Sequence, residues 1–403
     1  MSTTETVGPV LDRIQQRSLL VGAVALGLCV VWGFLNPDQF FRSYFLACIF
    51  WMEVALGSIA LLMLQHLTGG QWGLMIRRIL EAATRTIPLM AVLMIPVLFR
   101  LKQFYIWADP KLVSLDPLLQ HKSAYLNPPF FVARVVFYFV AWFTLVYFLN
   151  QWSWEQDATH EPRIKRRFEA LSGPGLILYG FTITFASIDW VMSLEPHWFS
   201  TIYGLIFMVG QVLLTLCFVI ALLMLLAQHK PLSDVVRPSH FHDLGKLLLT
   251  FVILWAYVSF SQFLIMWSGN LTEEIPWYLR RMTGGWQYLA LFVVVFHFAL
   301  PFLLLLSRGR KRDMIRLARV AVALIVVRWA AIYWMVAPGF AKRVSATGAG
   351  STFAPSFMDV LAPVGIGGLW VAVFMWQLKG RPLLPIGDPN LAAMMAQPAE
   401  HGH

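Results

Sequence analysis

Ten apolar runs of about 20 residues, each long enough to cross the hydrocarbon core of a bilayer, leave this chain little choice of fold. They fall at 18–35, 41–67, 84–101, 129–149, 175–194, 200–227, 244–267, 286–307, 314–336 and 356–377. No connection between them is long enough to fold as a soluble domain. The sequence therefore predicts an all-α integral membrane protein, with an N-terminal segment over 1–17, a ten-helix domain over 18–377 and a tail over 378–403. A hydrophobic content of 58% against 13% charged residues agrees with that class. Arg13 and Arg17 before the first run imitate a signal peptide. The run is long for such a peptide and lacks a convincing small-residue cleavage site, so a retained first helix is expected.

The net charge of +10 has an explanation other than nucleic acid. With the runs read as spans, twenty Lys and Arg residues lie in the connections, tails and span ends on the side of the N-terminus, here called the near side. Nine lie on the far side. The positive-inside rule then puts both termini in the cytoplasm. The basic runs serve as topology signals, and contact with anionic lipid or a partner is the lesser option. The far-side connections 102–128 and 268–285 hold turn chemistry and aromatic anchors suited to an external partner, although ordinary solvated loops would look the same. The connection 337–355 is rich in Gly, Ala and Ser, and reads as pliable. The tail from Leu383 reads as poorly ordered.

The stretch from Phe185 to Gly204 reads as a tight far-side hairpin. Pro196 keeps Glu195 out of helical geometry, and Trp190, Trp198 and Tyr203 bracket the turn as interfacial aromatics do. Asp189 is held just beneath it. This stretch closely resembles a segment of the membrane subunits of bacterial alternative complex III, a quinol:electron-acceptor oxidoreductase. Those subunits belong to the polysulfide-reductase-type (NrfD-like) family. The resemblance extends from Phe41 to about Gln377, is most specific over Asp189–Tyr203, and is to the smaller, F-type, of the two related subunits. It implies two four-helix bundles, spans 2–5 and 6–9, with spans 1 and 10 outside. It also implies iron–sulfur and haem c subunits and a larger, homologous membrane subunit as partners, beside the surrounding lipid.

Charged side chains near the bilayer centre cost about 2.5–3.5 kcal/mol each on insertion scales, so those present need a reason. Glu53, His297 and Arg328 fall near the middles of spans 2, 8 and 9. Arg134 and Asp189 lie at matching depth near the far ends of the consecutive spans 4 and 5, which predicts an ion pair. Asp359 is just inside the far end of span 10. His297 and Asp359 each precede a proline by four residues, so their carbonyls lose the usual helical donor and can hold water. These six residues are candidates for a proton pathway. Polar pairs one or two turns apart (Tyr257 with Ser261, Ser259 with Gln262, Thr182 with Asp189, Gln211 with Thr215) suit either interhelical hydrogen bonds or a hydrated route.

Only His297 is an imidazole at membrane depth, so paired haem ligation is not expected. Cys29, Cys48 and Cys217 lie in apolar runs without metal-binding spacing. The chain is expected to bind no redox cofactor of its own, no metal and no nucleic acid, with quinol as a possible substrate of the complex. In that family the larger subunit is the better candidate for the quinol site. Here, Asp189 with Trp190 and Tyr203 is the one place to look. Two functions remain open. One is a membrane subunit of a quinol:cytochrome c-type oxidoreductase that contributes to quinol-linked proton translocation. The other is an independent secondary transporter, whose Gly/Pro-broken spans Pro88, Pro96 and Pro301 only weakly imitate.

Overall fold

A computed structural model of the chain describes residues 7–161, 163–343 and 352–396. Among these residues there is no strand, and ten helices are long and apolar enough to cross a membrane. Span 1 is Val7–Leu35, span 2 Pro37–Thr68, span 3 Gln71–Leu98, span 4 Pro128–Thr159 and span 5 Ile164–Leu194. Span 6 is Tyr203–Leu226, span 7 Pro238–Gly269, span 8 Trp286–Leu306, span 9 Met314–Phe340 and span 10 Met358–Lys379.

Local chemistry explains several of the ends. Asn36 and Asn127 each accept a hydrogen bond from the amide three residues on, with a proline at the first helical position. Asp313 caps span 9 in the same way, through Ile315 N and Arg316 N. His160 and Asn270 end spans 4 and 7 in the left-handed conformation, at φ 55° and 45°.

Span 2 is the hub. Its most apolar stretch is almost wholly buried, and it packs against spans 3, 5, 6 and 10. Spans 4 and 5 pack together beside it. Span 6 packs on spans 7 and 9, and span 8 lies against both of those. The contacts thus follow the expected pair of four-helix groups, joined where span 2 meets span 6. Span 1 lies largely against span 10 and otherwise exposes apolar side chains, as a helix facing lipid does. Lys379 pairs with Asp12, so the near ends of spans 10 and 1 meet.

The near side departs from expectation. Span 1 begins at Val7 rather than 18, span 3 at Gln71 rather than 84, and span 4 runs on to Thr159 rather than 149. Hydropathy alone clips these helices because their near ends carry charged side chains; those of span 3, Arg77, Arg78 and Glu81, are buried all the same, whereas Asp12, Arg13 and Arg17 of span 1 are exposed. Beyond span 10 the chain does not trail away. Leu384, Asp388, Leu391 and Met394 are buried, and a short helix, Pro389–Ala396, packs on span 3. Of the connection expected to be pliable, 337–355, residues 344–351 lie outside the described residues, as does the tail from 397.

Candidate functional site

Spans 2, 5, 6 and 9 converge at mid-depth on one ion pair. Glu53 is 1% exposed and Arg328 is fully buried. Arg328 Nε donates to Glu53 Oε2 at 2.9 Å and Nη2 to Oε1 at 2.6 Å, a two-point fork. The remaining nitrogen, Nη1, has no partner among the described residues. Gly210 on span 6 makes room for the guanidinium, because a Cβ there would overlap it. Five residues further along span 6, Thr215 Oγ1 donates to Val54 O at 3.2 Å and ties spans 6 and 2 together. On span 5, the Tyr179 hydroxyl donates to Gln211 Oε1 at 2.6 Å. Glu53, Gln211, Ser187 and Trp190 line a cavity of about 20 Å³, enough for one water.

At that far end stands the expected pair. Arg134 Nε and Nη2 donate to Asp189 Oδ2 and Oδ1 at 2.8 and 3.0 Å. The Tyr138 hydroxyl adds a bond to Oδ2 at 2.6 Å, and the guanidinium lies 3.8 Å over the Tyr125 ring. Asp189 is fully buried with both oxygens occupied, which suits a clamp on the hairpin rather than an open binding group.

The far-side connections close over this region. In 102–128, Tyr105 OH donates to Trp190 O at 2.8 Å and Trp107 Nε1 to Ser193 O at 3.1 Å. Asp116 meets His197 Nε2 at 2.7 Å. Burial works to raise the Asp116 carboxyl pKa, but hydrogen bonds from His197 and two backbone amides outweigh it and hold the pKa below its ordinary value. In 268–285, Arg281 Nη2 donates to Glu195 at 2.7 Å and to Met335 O at 2.7 Å, and Arg280 joins the same carboxylate. Arg281 lies 3.7 Å over the Trp277 ring, which stacks on Trp198 with 4.8 Å between centroids. Burial lowers the Arg281 pKa, opposed by the charge of Glu195. Glu195 was legible only as a turn residue, and its partners lie more than eighty positions away.

Asp359 joins spans 2, 9 and 10. Its oxygens accept from Ser43 Oγ at 2.6 Å, Gln39 Nε2 at 3.0 Å, Tyr333 OH at 3.0 Å and Ser356 N at 2.8 Å. His297 sits in a π-helical turn, Val294–Ala299, just before Pro301. Its ring packs 3.9 Å from that of Trp255, and neither ring nitrogen has a partner among the described residues. The six candidates therefore form two ion pairs, one capped carboxylate and one unpaired imidazole. Tyr257 faces outward at 66% exposure, so its pairing with Ser261 does not line an interior strip. Thr182 accepts from Trp142 Nε1 at 3.0 Å and has no direct bond to Asp189.

The largest feature the sequence left unread is on the near side. Glu81 is fully buried and accepts from Arg77 Nε at 3.2 Å, Arg78 Nη1 at 2.7 Å and Ser153 Oγ at 2.6 Å. Arg77 continues to Asp388 at 2.8 Å and Gln156 at 2.9 Å, and Arg78 to Asp157. The arginines expected as loop topology signals are thus the core of an ion network. Arg77, Arg78 and Glu81 within five residues, all inside one extended helix, were the available signal.

Among the described residues no three His, Cys, Asp or Glu side chains are grouped so as to hold a metal ion. No protein-family model matches the chain, and neither does any curated protein.

Proposed function

We propose that the chain is an integral membrane subunit of a quinol:electron-acceptor oxidoreductase of the alternative complex III type, and that its part is to move protons. The observation that carries this reading is the Glu53–Arg328 pair, held at mid-depth beside a water-sized cavity. A carboxylate there takes up a proton only if its arginine partner lets go, so it can couple proton movement to a change in helix packing. Electrons are assigned to iron–sulfur and haem c subunits outside the membrane, with a larger related membrane subunit alongside. The membrane is the bacterial cytoplasmic membrane, with both termini on the cytoplasmic side by the basic bias of the near-side connections.

Purification from the native membrane in a mild detergent tests the assembly. The chain should elute with haem-bearing partners in fixed proportion. A stable protein that elutes alone and free of haem would sink the reading and favour a secondary transporter.

A further inference from the structure

The short helix Arg308–Arg312 joins spans 8 and 9 on the near side and packs on span 7. The Lys311 stem lies over Gly245 of span 7, so close that a Cβ there would come within 2.8 Å of Lys311 Cγ. That contact seats the helix, while Arg308 and Arg310 stay exposed.

From 308 to 319 the chain carries Arg308, Arg310, Lys311, Arg312, Arg316 and Arg319 against one carboxylate, Asp313. Asp313 is already engaged, because it caps span 9 and pairs with Arg316 at 3.1 Å. The other five cations have no carboxylate partner among the described residues. The buried Nε of Arg312 has no acceptor there at all. A topology signal needs its charges on one side of the membrane, but it does not need them unpaired. The near-side connection before span 5 shows the difference. There Arg163, Lys165 and Arg167 pair with Glu161, Glu169 and Glu155 at 4.0, 3.9 and 3.0 Å.

Apolar surface adjoins the unpaired cations. Leu306 lies just before the short helix and Ile315 just after it. Both, with Leu303 on span 8 and Val322 on span 9, are between 49% and 64% exposed. We propose that this surface binds an anionic phospholipid. Arg308, Arg310 and Arg312 supply planar forks that match phosphate oxygens, and the acyl chains lie along the exposed flanks of spans 8 and 9. A zwitterionic lipid offers the same phosphate and the same chains, but its own ammonium offsets the attraction. Net charge is therefore what the surface selects. This site is independent of the oxidoreductase reading, and holds equally for a transporter.

The probes are dioleoyl phosphatidylglycerol and dioleoyl phosphatidylcholine, which share their chains and differ in net charge. Each is titrated against the full-length chain in mild detergent, and bound lipid is counted by native mass spectrometry. Wild type should bind phosphatidylglycerol at least about tenfold more tightly than phosphatidylcholine. One surface cation is worth about a fivefold change in affinity for anionic lipid, so Arg312→Gln should weaken phosphatidylglycerol binding by about that factor. Arg308→Gln, Arg310→Gln and Arg312→Gln together should weaken it more than about tenfold and leave phosphatidylcholine unchanged. The triple variant still has seventeen near-side Lys and Arg against nine, which preserves its orientation. As a control, Lys165→Gln with Arg166→Gln should stay within about twofold of wild type. Equal affinity of wild type for the two lipids overturns the proposal, as does an unchanged preference in Arg312→Gln, which keeps the test decisive should the triple variant fail to fold. An equal loss in the control also overturns it, because the attraction would then be diffuse rather than local.

Discussion

Arg134 and Asp189 show what a charge inside this protein requires. Each would be intolerable alone at that depth, and together they fill one another's hydrogen-bonding capacity with help from Tyr138. Removing one partner of such a pair typically costs about 3–5 kcal/mol, because the other is left buried and uncompensated. Arg134→Ala should therefore lower stability by about that amount in detergent, measured by chemical unfolding. Asp189→Asn should cost less, since the amide oxygen still accepts from Tyr138. Gly210→Ala tests the central pair from the side. Its new methyl group would occupy the space of the Arg328 guanidinium, so the fork to Glu53 must distort. Destabilisation of at least about 1–3 kcal/mol is expected, in line with overpacking of a close-fitted core. A Gly210→Ala protein as stable as wild type would show that Arg328 has room to move.

At the scale of helices, the sequence and the structure part company for a physical reason. Hydrophobic length sets where a helix can cross a membrane, and all ten spans were legible from it. Equal depth on consecutive spans also made Arg134–Asp189 legible. Glu53–Arg328 was not, because residues 275 positions apart meet only through the register of spans 2 and 9, which no local pattern records. The near-side network around Glu81 was missed for the opposite reason. Charges within five residues look like a solvated loop until tertiary packing buries them. The contact of span 1 with span 10 offers a test of packing alone. Gly22 and Gly368 approach so closely that a Cβ on Gly368 would overlap the Gly22 backbone. Small residues at such a seam let helices associate in lipid, where burial of apolar surface gives little drive. Gly368→Leu should detach span 1 while leaving the other nine spans folded. Loss of a disulfide cross-link engineered between the two spans, with an unchanged melting transition for the rest, is the expected result.

For the whole molecule, the question is whether the central charge pair moves protons or only holds two helix groups together. Both roles use the same geometry, and substitution separates them. Glu53→Gln keeps the shape and one acceptor for Arg328 but removes the ionisable group. If Glu53 only joins span 2 to span 9, the variant should be less stable while proton movement per electron in the proposed quinol-oxidising complex stays unchanged. If it carries protons, the complex reconstituted in liposomes should still oxidise quinol while fewer protons cross per electron. The water-sized cavity has Glu53, Ser187 and Trp190 in one wall, so a route through it is expected to leave along span 5. Asp189 is closed by Arg134 and Tyr138, and serves there as a fixed charge rather than a relay. Ser187→Val, which removes a hydroxyl from that cavity without touching either ion pair, should then lower proton movement in the same direction as Glu53→Gln, by a smaller amount. Full proton movement in both variants would show that Glu53 and this cavity belong to the scaffold.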